Sequence, residues 1–158
     1  MATLAPQFSS NRMLHDYAEQ YYAPATSLYR QRLANNAEIA KDLAFWQQQV
    51  TQHWSAIYMQ NYQIETTASG HKLTLHVYLD ELTVEFVRLE IYADAQEGLP
   101  LFCQVMQRKV MLPGAVNGYM YETTVPADRP IEHYTPRLVP NHVHANIPSE
   151  EAHITWYR

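Results

Sequence analysis

The first third of the chain places apolar residues at three- and four-residue intervals, the spacing of helices with one buried face. Ser9 and Ser10 can cap a helix start, because a serine hydroxyl accepts hydrogen bonds from amides of the first turn. The apolar positions that follow are Met13, Leu14, Tyr17, Ala18 and Tyr21. Pro24 should end this helix, since proline lacks the amide donor and restricts the residue before it. The pattern therefore predicts a first helix over residues 10–22.

A second, longer amphipathic pattern runs from a cap at Thr26 or Ser27 to about Tyr58. Its apolar stripe consists of Leu33, Ala37, Ala40, Leu43, Val50, Trp54 and Ile57, with Trp46 beside it. No glycine or proline interrupts it, so an unbroken helix over residues 27–58 is predicted. Because most helical stability comes from tertiary packing, the stripe needs a partner. We expect Val50, Trp54 and Ile57 to be buried.

From Gln60 onward the period changes to two, which is typical of strands with one buried face. The predicted strands cover residues 62–67, 72–79, 87–93, 101–111, 119–125, 134–139 and 153–157. Pro113-Gly114 and Asn117-Gly118 mark a hairpin connection. About seven short strands without intervening helices predict an antiparallel β-sandwich of immunoglobulin-like type. The predicted class is α+β, with a helical stem over residues 1–59, built of two helices, and a β-sandwich domain over residues 60–158.

Composition narrows the classes of function. Of the 158 residues, 47% are hydrophobic and 17% are charged, so a core can form and a disordered tail is excluded. The net charge of −5 repels phosphate backbones, so nucleic acid is not an expected partner. No apolar run approaches the roughly 20 residues that span a bilayer, and no secretion signal precedes Pro6. A single cysteine, Cys103, makes no internal disulfide, which favours a cytoplasmic location.

Eight histidines invite a metal-site hypothesis. His142 and His144, two residues apart, could bind zinc with His133 or His153 as a third ligand. The alternative is a polar rim at one end of the sandwich. That alternative is favoured because no cysteine accompanies the pair and no HExxH motif is present. We therefore assign no metal ligand.

The remaining candidates for chemistry have ordinary structural explanations. Cys103, flanked by Phe102 and Val105, is expected to be a small buried strand residue rather than a nucleophile. The acid pairs Asp80-Glu81 and Glu150-Glu151 are expected to be solvated turn charges, since adjacent residues do not converge on a substrate. The four glycines are too scattered for a phosphate cradle. No catalytic or cofactor-binding residue is assigned.

Residues 8–18 follow the pattern F-S-S-D-R-T-I-x-x-Y-A. They keep Phe8, Ser9, Ser10, Arg12, Tyr17 and Ala18, with Asn11 in place of the aspartate. In this pattern they resemble the helix that closes the chains of the glycogen and starch phosphorylases. Residues 21–25 resemble the bacterial and archaeal α-glucan phosphorylases, with His15-Asp16 replacing a pair that usually ends in glutamate. That branch carries a C-terminal extension whose ending is similar to residues 134–140, 147–148 and 154–158. Residues 79–92 are also similar.

The resemblance implies a place in an enzyme rather than a catalytic role. Family members use pyridoxal phosphate, bound to a lysine between two Rossmann-like domains, to transfer glucosyl units from α-glucan to phosphate. A chain of 158 residues cannot hold two such domains, and none of Lys41, Lys72 and Lys109 lies in a similar motif. We therefore expect no enzyme activity and no cofactor in this chain alone. A family motif so soon after Met1 suggests a cloned fragment or a split gene.

Three functions compete at this point. The first is a non-catalytic accessory region whose partners are the catalytic domains of a phosphorylase. The second is a carbohydrate-binding module for α-glucan, since twelve tyrosines and three tryptophans could offer ring faces to sugars. The third, a small histidine-based metal enzyme, has the least support. The helix near Ser10 would lack its family partner in this chain, which predicts a homodimer through the N-terminal helices.

Overall fold

The computed structural model describes residues 10–158, and it describes side chains from Arg12 onward. Helical elements come first, and β-strands follow from Tyr58. The helical elements are α1 (Ser10–Tyr17), a π-helical turn (Ala18–Tyr22), α2 (Ala23–His53) and a 3₁₀ turn (Trp54–Ala56). Phe8 and the capping candidate Ser9 lie outside the described residues. The arrangement confirms the α+β class.

Pro24 does not end the first helix, so that prediction is wrong. The helix widens at the π-helical turn, where the amide of Ala23 donates to the carbonyl of Ala18, five residues earlier. The extra residue in this turn makes space for the proline ring. The wider hydrogen-bond pattern also accommodates the lack of an amide donor at Pro24. Pro24 therefore lies at the start of α2 as its second residue.

The break falls instead within α2, where an unbroken helix was predicted. Asn35, Asn36 and Ala37 have left-handed backbones, with φ of 51°, 61° and 58°, after an extended Ala34. Asparagine adopts this conformation more readily than other non-glycine residues, because its short side chain bonds locally. The Asn35-Asn36 pair was thus an available signal. The predicted end at Tyr58 is also five residues late, since α2 ends at His53.

The strands form two four-stranded antiparallel sheets. Their bounds are β1 Tyr58–Thr67, β2 Gly70–Tyr78, β3 Val87–Ala93, β4 Phe102–Val105, β5 Gln107–Met111, β6 Gly118–Val125, β7 Thr135–Pro140 and β8 Thr155–Trp156. The first sheet has the order β1-β2-β6-β5, and the second has the order β4-β3-β7-β8. Antiparallel pairing is confirmed, and the immunoglobulin-like assignment stays a prediction.

Residues 101–111 form two strands rather than the single predicted one. Met106 separates β4 from β5, is only 3% exposed, and donates its amide to the carbonyl of Leu89. The chain therefore leaves the second sheet and enters the first at this residue. In the sequence, an apolar residue at a crossover between sheets looks like a buried position of one continuous strand. Periodicity therefore could not distinguish two strands from one.

Each sheet buries one face, as the period of two requires. Leu73, Leu75 and Val77 of β2 and Ile91 of β3 have no exposed surface, and Leu89 of β3 has almost none. Two sheets with buried faces fit a β-sandwich. The last turns of α2 and the residues that follow it share this core. Trp46 and Val50 are fully buried, and Trp54 and Ile57 are nearly so. The predicted burial of Val50, Trp54 and Ile57 is confirmed.

Packing divides the described part of the chain into two compact units, one that ends at residue 44 and one that covers residues 45–158. The final turns of α2 thus belong with the strands. The predicted domains, 1–59 and 60–158, follow the change from helix to strand and stay a prediction. Within residues 10–158, no helix is both long and apolar enough to cross a membrane.

Candidate functional sites

A charged cluster lies on the outer face of the second sheet. Along β3, Leu89 and Ile91 point to the core, so Arg88, Glu90 and Tyr92 point the other way. Arg137 lies opposite Glu90 in β7 and donates to its Oε2 at 2.9 Å, while Arg88 Nε donates to Oε1 at 2.7 Å. Glu90 is nevertheless only 3% exposed, so both arginines contribute to neutralising a buried carboxylate.

The electrostatics of this cluster argue against acid–base or nucleophilic chemistry. Burial alone would raise the pKa of Glu90, but the hydrogen bonds from Arg137 and Arg88 outweigh it and lower the pKa below its ordinary value. Cys103 Sγ donates to Glu90 Oε2 at 3.4 Å. Desolvation and the adjacent carboxylate raise the pKa of this thiol, so it stays protonated and weakly nucleophilic.

Cys103 is exposed, which corrects the expectation of a buried strand thiol. The alternation that places Glu90 on the outer face also places its cross-strand neighbours there. The Arg-Leu-Glu-Ile-Tyr sequence of residues 88–92 was therefore the signal for this cluster. The sequence pattern was interpreted as a strand and as part of the family resemblance, but not as a site.

Aromatic rings flank the charged cluster. The guanidinium of Arg137 lies 4.2 Å from the ring centre of Tyr92 and 5.4 Å from that of Trp156. The two rings meet edge to face at 5.7 Å, and Trp156 is 38% exposed. This surface could offer one indole face to a sugar ring, although the arginine already covers Tyr92.

A second candidate site is an open groove at one end of the first sheet. Its volume is about 490 Å³, and Tyr58, Tyr78 and Asp80 line it together with the turn at residues 113–116. The two tyrosines are cross-strand partners whose rings stack at 4.6 Å with an interplanar angle of 10°. The groove thus places two tyrosine side chains beside an acidic residue. Sequence reasoning missed it, because Tyr58 was predicted to be helical.

The structure brings His142 and His144 together, with ring centres 5.9 Å apart, but places the other two candidates in different surroundings. His142 packs against Trp46, whereas His153 packs against Trp54 and contacts Glu151 at 2.5 Å. Among the described residues, no three histidine, cysteine or acidic side chains converge as a metal site requires. His142 and His153 instead serve as packing partners for the buried Trp46 and Trp54.

The carboxylates of the acid pairs make contacts with other protein groups, which charges that only face solvent would not make. Asp80 and Glu81 do lie in a turn, and their carboxylates approach Nδ1 of His53 at 4.0 and 3.9 Å. The side chain of Glu151 is only 10% exposed because it contacts His153. Glu150 accepts from the amide of Asn146 at 2.7 Å. The expectation of solvated charges is therefore corrected for Glu151, whose carboxylate is largely buried.

The surroundings of the lysines do not fit a pyridoxal phosphate site, which needs a nucleophilic lysine amine in a cavity. Lys72 pairs with Glu122 at 3.0 Å, and that hydrogen bond raises the pKa of Lys72 and keeps its amine protonated. Lys109 contacts Gln107 and the same Glu122 on the surface of the first sheet. Lys41 is exposed on α2.

Comparison with known proteins connects the chain to the phosphorylases. It is 30% identical to the glycogen phosphorylase of Mycobacterium tuberculosis over 79 residues, which is 48% of this chain and 9% of that protein. It is 26% identical to the maltodextrin phosphorylase of Thermococcus litoralis over 148 residues, which is 89% of this chain and 17% of that enzyme. The chain thus spans less than a fifth of the curated relatives it matches. No family model and no solved structure matches it.

Proposed function

We propose that this chain is a non-catalytic accessory region of an α-glucan phosphorylase. The intact parent would transfer glucosyl units from α-1,4-glucan to phosphate and would hold pyridoxal phosphate outside this region. The observation that carries the proposal is the alignment with the maltodextrin phosphorylase, which includes 89% of this chain but only 17% of the relative. The lone exposed Cys103 supports a cytoplasmic location as part of the proposal.

The strand order supports an immunoglobulin-like sandwich as the core of this accessory region. Lettered in chain order, with β4 as the inserted strand C′, the sheets read A-B-E-D and C′-C-F-G, which is the arrangement of that fold. Tyr134 precedes β7, the strand in position F, and its hydroxyl donates to the carbonyl of Pro126 at 2.9 Å. A tyrosine bonded back across the E–F connection is a hallmark of these domains.

The N-terminal helical surface supports a docking role within the parent. Its large apolar side chains are mostly exposed: Met13 68%, Leu14 72%, Tyr17 55%, Tyr21 60% and Tyr22 65%. Such a surface is seldom left open on a monomer. The catalytic domains of the parent are its proposed partner. In the isolated chain, a homodimer through the same helices is the proposed substitute.

The accessory role can be tested on the Thermococcus litoralis enzyme. We expect removal of its segment aligned with residues 45–158, the strand-containing compact unit, to lower the melting temperature but to leave pyridoxal phosphate absorbance and phosphorolysis of short maltodextrin. A chimera that carries residues 45–158 of this chain is the matched control, and it should restore part of the thermal stability. A truncated enzyme that is folded by circular dichroism but inactive would contradict the proposal.

The dimer has its own test, by size-exclusion chromatography with light scattering. The intact chain should be dimeric, and a chain that begins at Ala25 should be monomeric. If both are monomeric, the dimer is excluded. If the shorter chain stays dimeric, the contact lies outside residues 10–24.

The second candidate function is a carbohydrate-binding module, and the exposed aromatic surfaces favour it. Tyr58 in the groove and Trp156 on the second sheet are 47% and 38% exposed, respectively. Sugars stack on such ring faces. The two functions are compatible, since a sandwich can both support a catalytic body and hold a glucan.

A further inference from the structure

The groove at the end of the first sheet is built around a fixed aromatic ring. Tyr78 lies between Tyr58, on which it stacks, and Gly118, its partner in β6. A Cβ atom at Gly118 would lie 3.0 Å from Tyr78 Cδ1 and 2.8 Å from Ala115 Cβ, so only glycine lets the ring lie flat there. One face of Tyr58 is covered by Tyr78, and Tyr58 is still 47% exposed and lines the groove.

The polar side of the groove is equally fixed. Asp80 has a left-handed backbone with φ of 51°, and Asn117 holds its turn by donating from Nδ2 to the carbonyls of Asp80 and Leu82, at 2.8 and 2.7 Å. The Asp80 carboxylate remains 52% exposed at the groove. Nδ1 of His53 lies 4.0 Å from this carboxylate.

These groups define the chemistry of the ligand. A flat ring face takes the apolar face of a pyranose, and a carboxylate accepts hydrogen bonds from its hydroxyls. With Asp80 in its lining, the groove would repel phosphates and other anions. Its volume of about 490 Å³ is within the range of small-molecule sites.

We propose that this groove binds a glucosyl unit of a neutral α-glucan, with the sugar ring stacked on Tyr58 and its hydroxyls bonded to Asp80. The choice of α-glucan, rather than another neutral sugar, rests on the proposed function. The site itself is independent of any catalytic step. The concave shape favours it over Trp156, whose surroundings are an open sheet face.

The test is a titration of the ¹⁵N-labelled full chain with maltoheptaose, followed by amide chemical shifts. Shifts should concentrate at Tyr58, Tyr78, Asp80 and residues 114–116. Tyr58→Leu keeps an apolar side chain but removes the ring face, and it should weaken binding about tenfold or more. Tyr58→Phe should bind like the parent, and so should Phe45→Ala, the control at an exposed ring that does not line the groove.

Asp80→Asn is the second informative variant, because asparagine accepts the positive φ at this position. It should weaken binding less than Tyr58→Leu does, and the spectrum of each unliganded variant reports whether the fold is intact. Absence of shifts with maltoheptaose, equal shifts with cellohexaose, unchanged affinity of Tyr58→Leu, or loss of binding in Phe45→Ala would each overturn the proposal. None of these results would affect the accessory role, which is judged by the stability of the truncated relative.

Discussion

The two parts of α2 carry similar apolar patterns and have opposite fates. From Trp46 onward the stripe is covered, and Trp46 and Val50 have no exposed surface. Before the break at residues 34–37 the apolar side chains remain open, with Tyr29 63% and Leu33 50% exposed. The contrast teaches that an apolar period indicates a helix face that needs a partner but does not identify the partner. Only the second half of the stripe finds one within its own compact unit.

The largest expected effect is at Trp46, whose indole is buried and donates to the carbonyl of Phe86 at 3.4 Å. Trp46→Ala should destabilise the strand-containing unit by about 3–5 kcal/mol, because it leaves a large cavity. Urea unfolding followed by circular dichroism measures this. The adjacent Phe45→Ala is the control, since Phe45 is 54% exposed, and it should cost about 1 kcal/mol or less. Equal costs would remove the distinction between covered and open positions.

A smaller effect with a pH signature is expected at Glu90. Glu90→Gln leaves Arg88 and Arg137 without their charged acceptor and should cost about 2 kcal/mol at pH 7. The folded-state pKa of Glu90 is lowered, so the wild-type advantage is complete above about pH 4.5 and is lost as pH falls through the folded-state pKa. Unfolding curves from pH 7 to pH 3 check this. A difference that grows on acidification would contradict the assigned sign.

The break in α2 predicts opposite signs for one substitution at two alanines. Ala37 has φ of 58°, a conformation that costs an alanine about 1–2 kcal/mol, so Ala37→Gly should be neutral or stabilise the helix by about 1 kcal/mol. Ala44 lies in regular helix, so Ala44→Gly should destabilise by about 1 kcal/mol. Helix content and amide exchange measure both. If Ala37→Gly lowers helix content as Ala44→Gly does, α2 is continuous.

The smallest effect is expected where the apolar surface is open. Leu14 is 72% exposed, so Leu14→Ala should change the stability of a monomeric chain by no more than about 0.5 kcal/mol. Leu75 has no exposed surface, and Leu75→Ala should cost about 2–5 kcal/mol. Thermal unfolding of both variants at low protein concentration gives the comparison. A large cost at Leu14 would show that this surface is covered in solution.

Periodicity predicted most of the fold, because burial of one face leaves a period in the sequence. It placed β3 at its observed bounds and predicted the burial of Trp54 and Ile57. It failed at Pro24, Asn35-Asn36 and Met106, where local backbone conformation or a turn into the core decides the path. Periodicity could not predict the groove, because strand pairing and turn geometry bring together Tyr58, Tyr78 and Asp80.

The central claim is that this chain contributes a non-catalytic region to an α-glucan phosphorylase. The most direct measurement is release of glucose 1-phosphate from maltodextrin and inorganic phosphate by the pure chain, with pyridoxal phosphate added and an intact phosphorylase as positive control. We expect no more release than in a reaction without protein. Sustained release that scales with the concentration of this chain would contradict it.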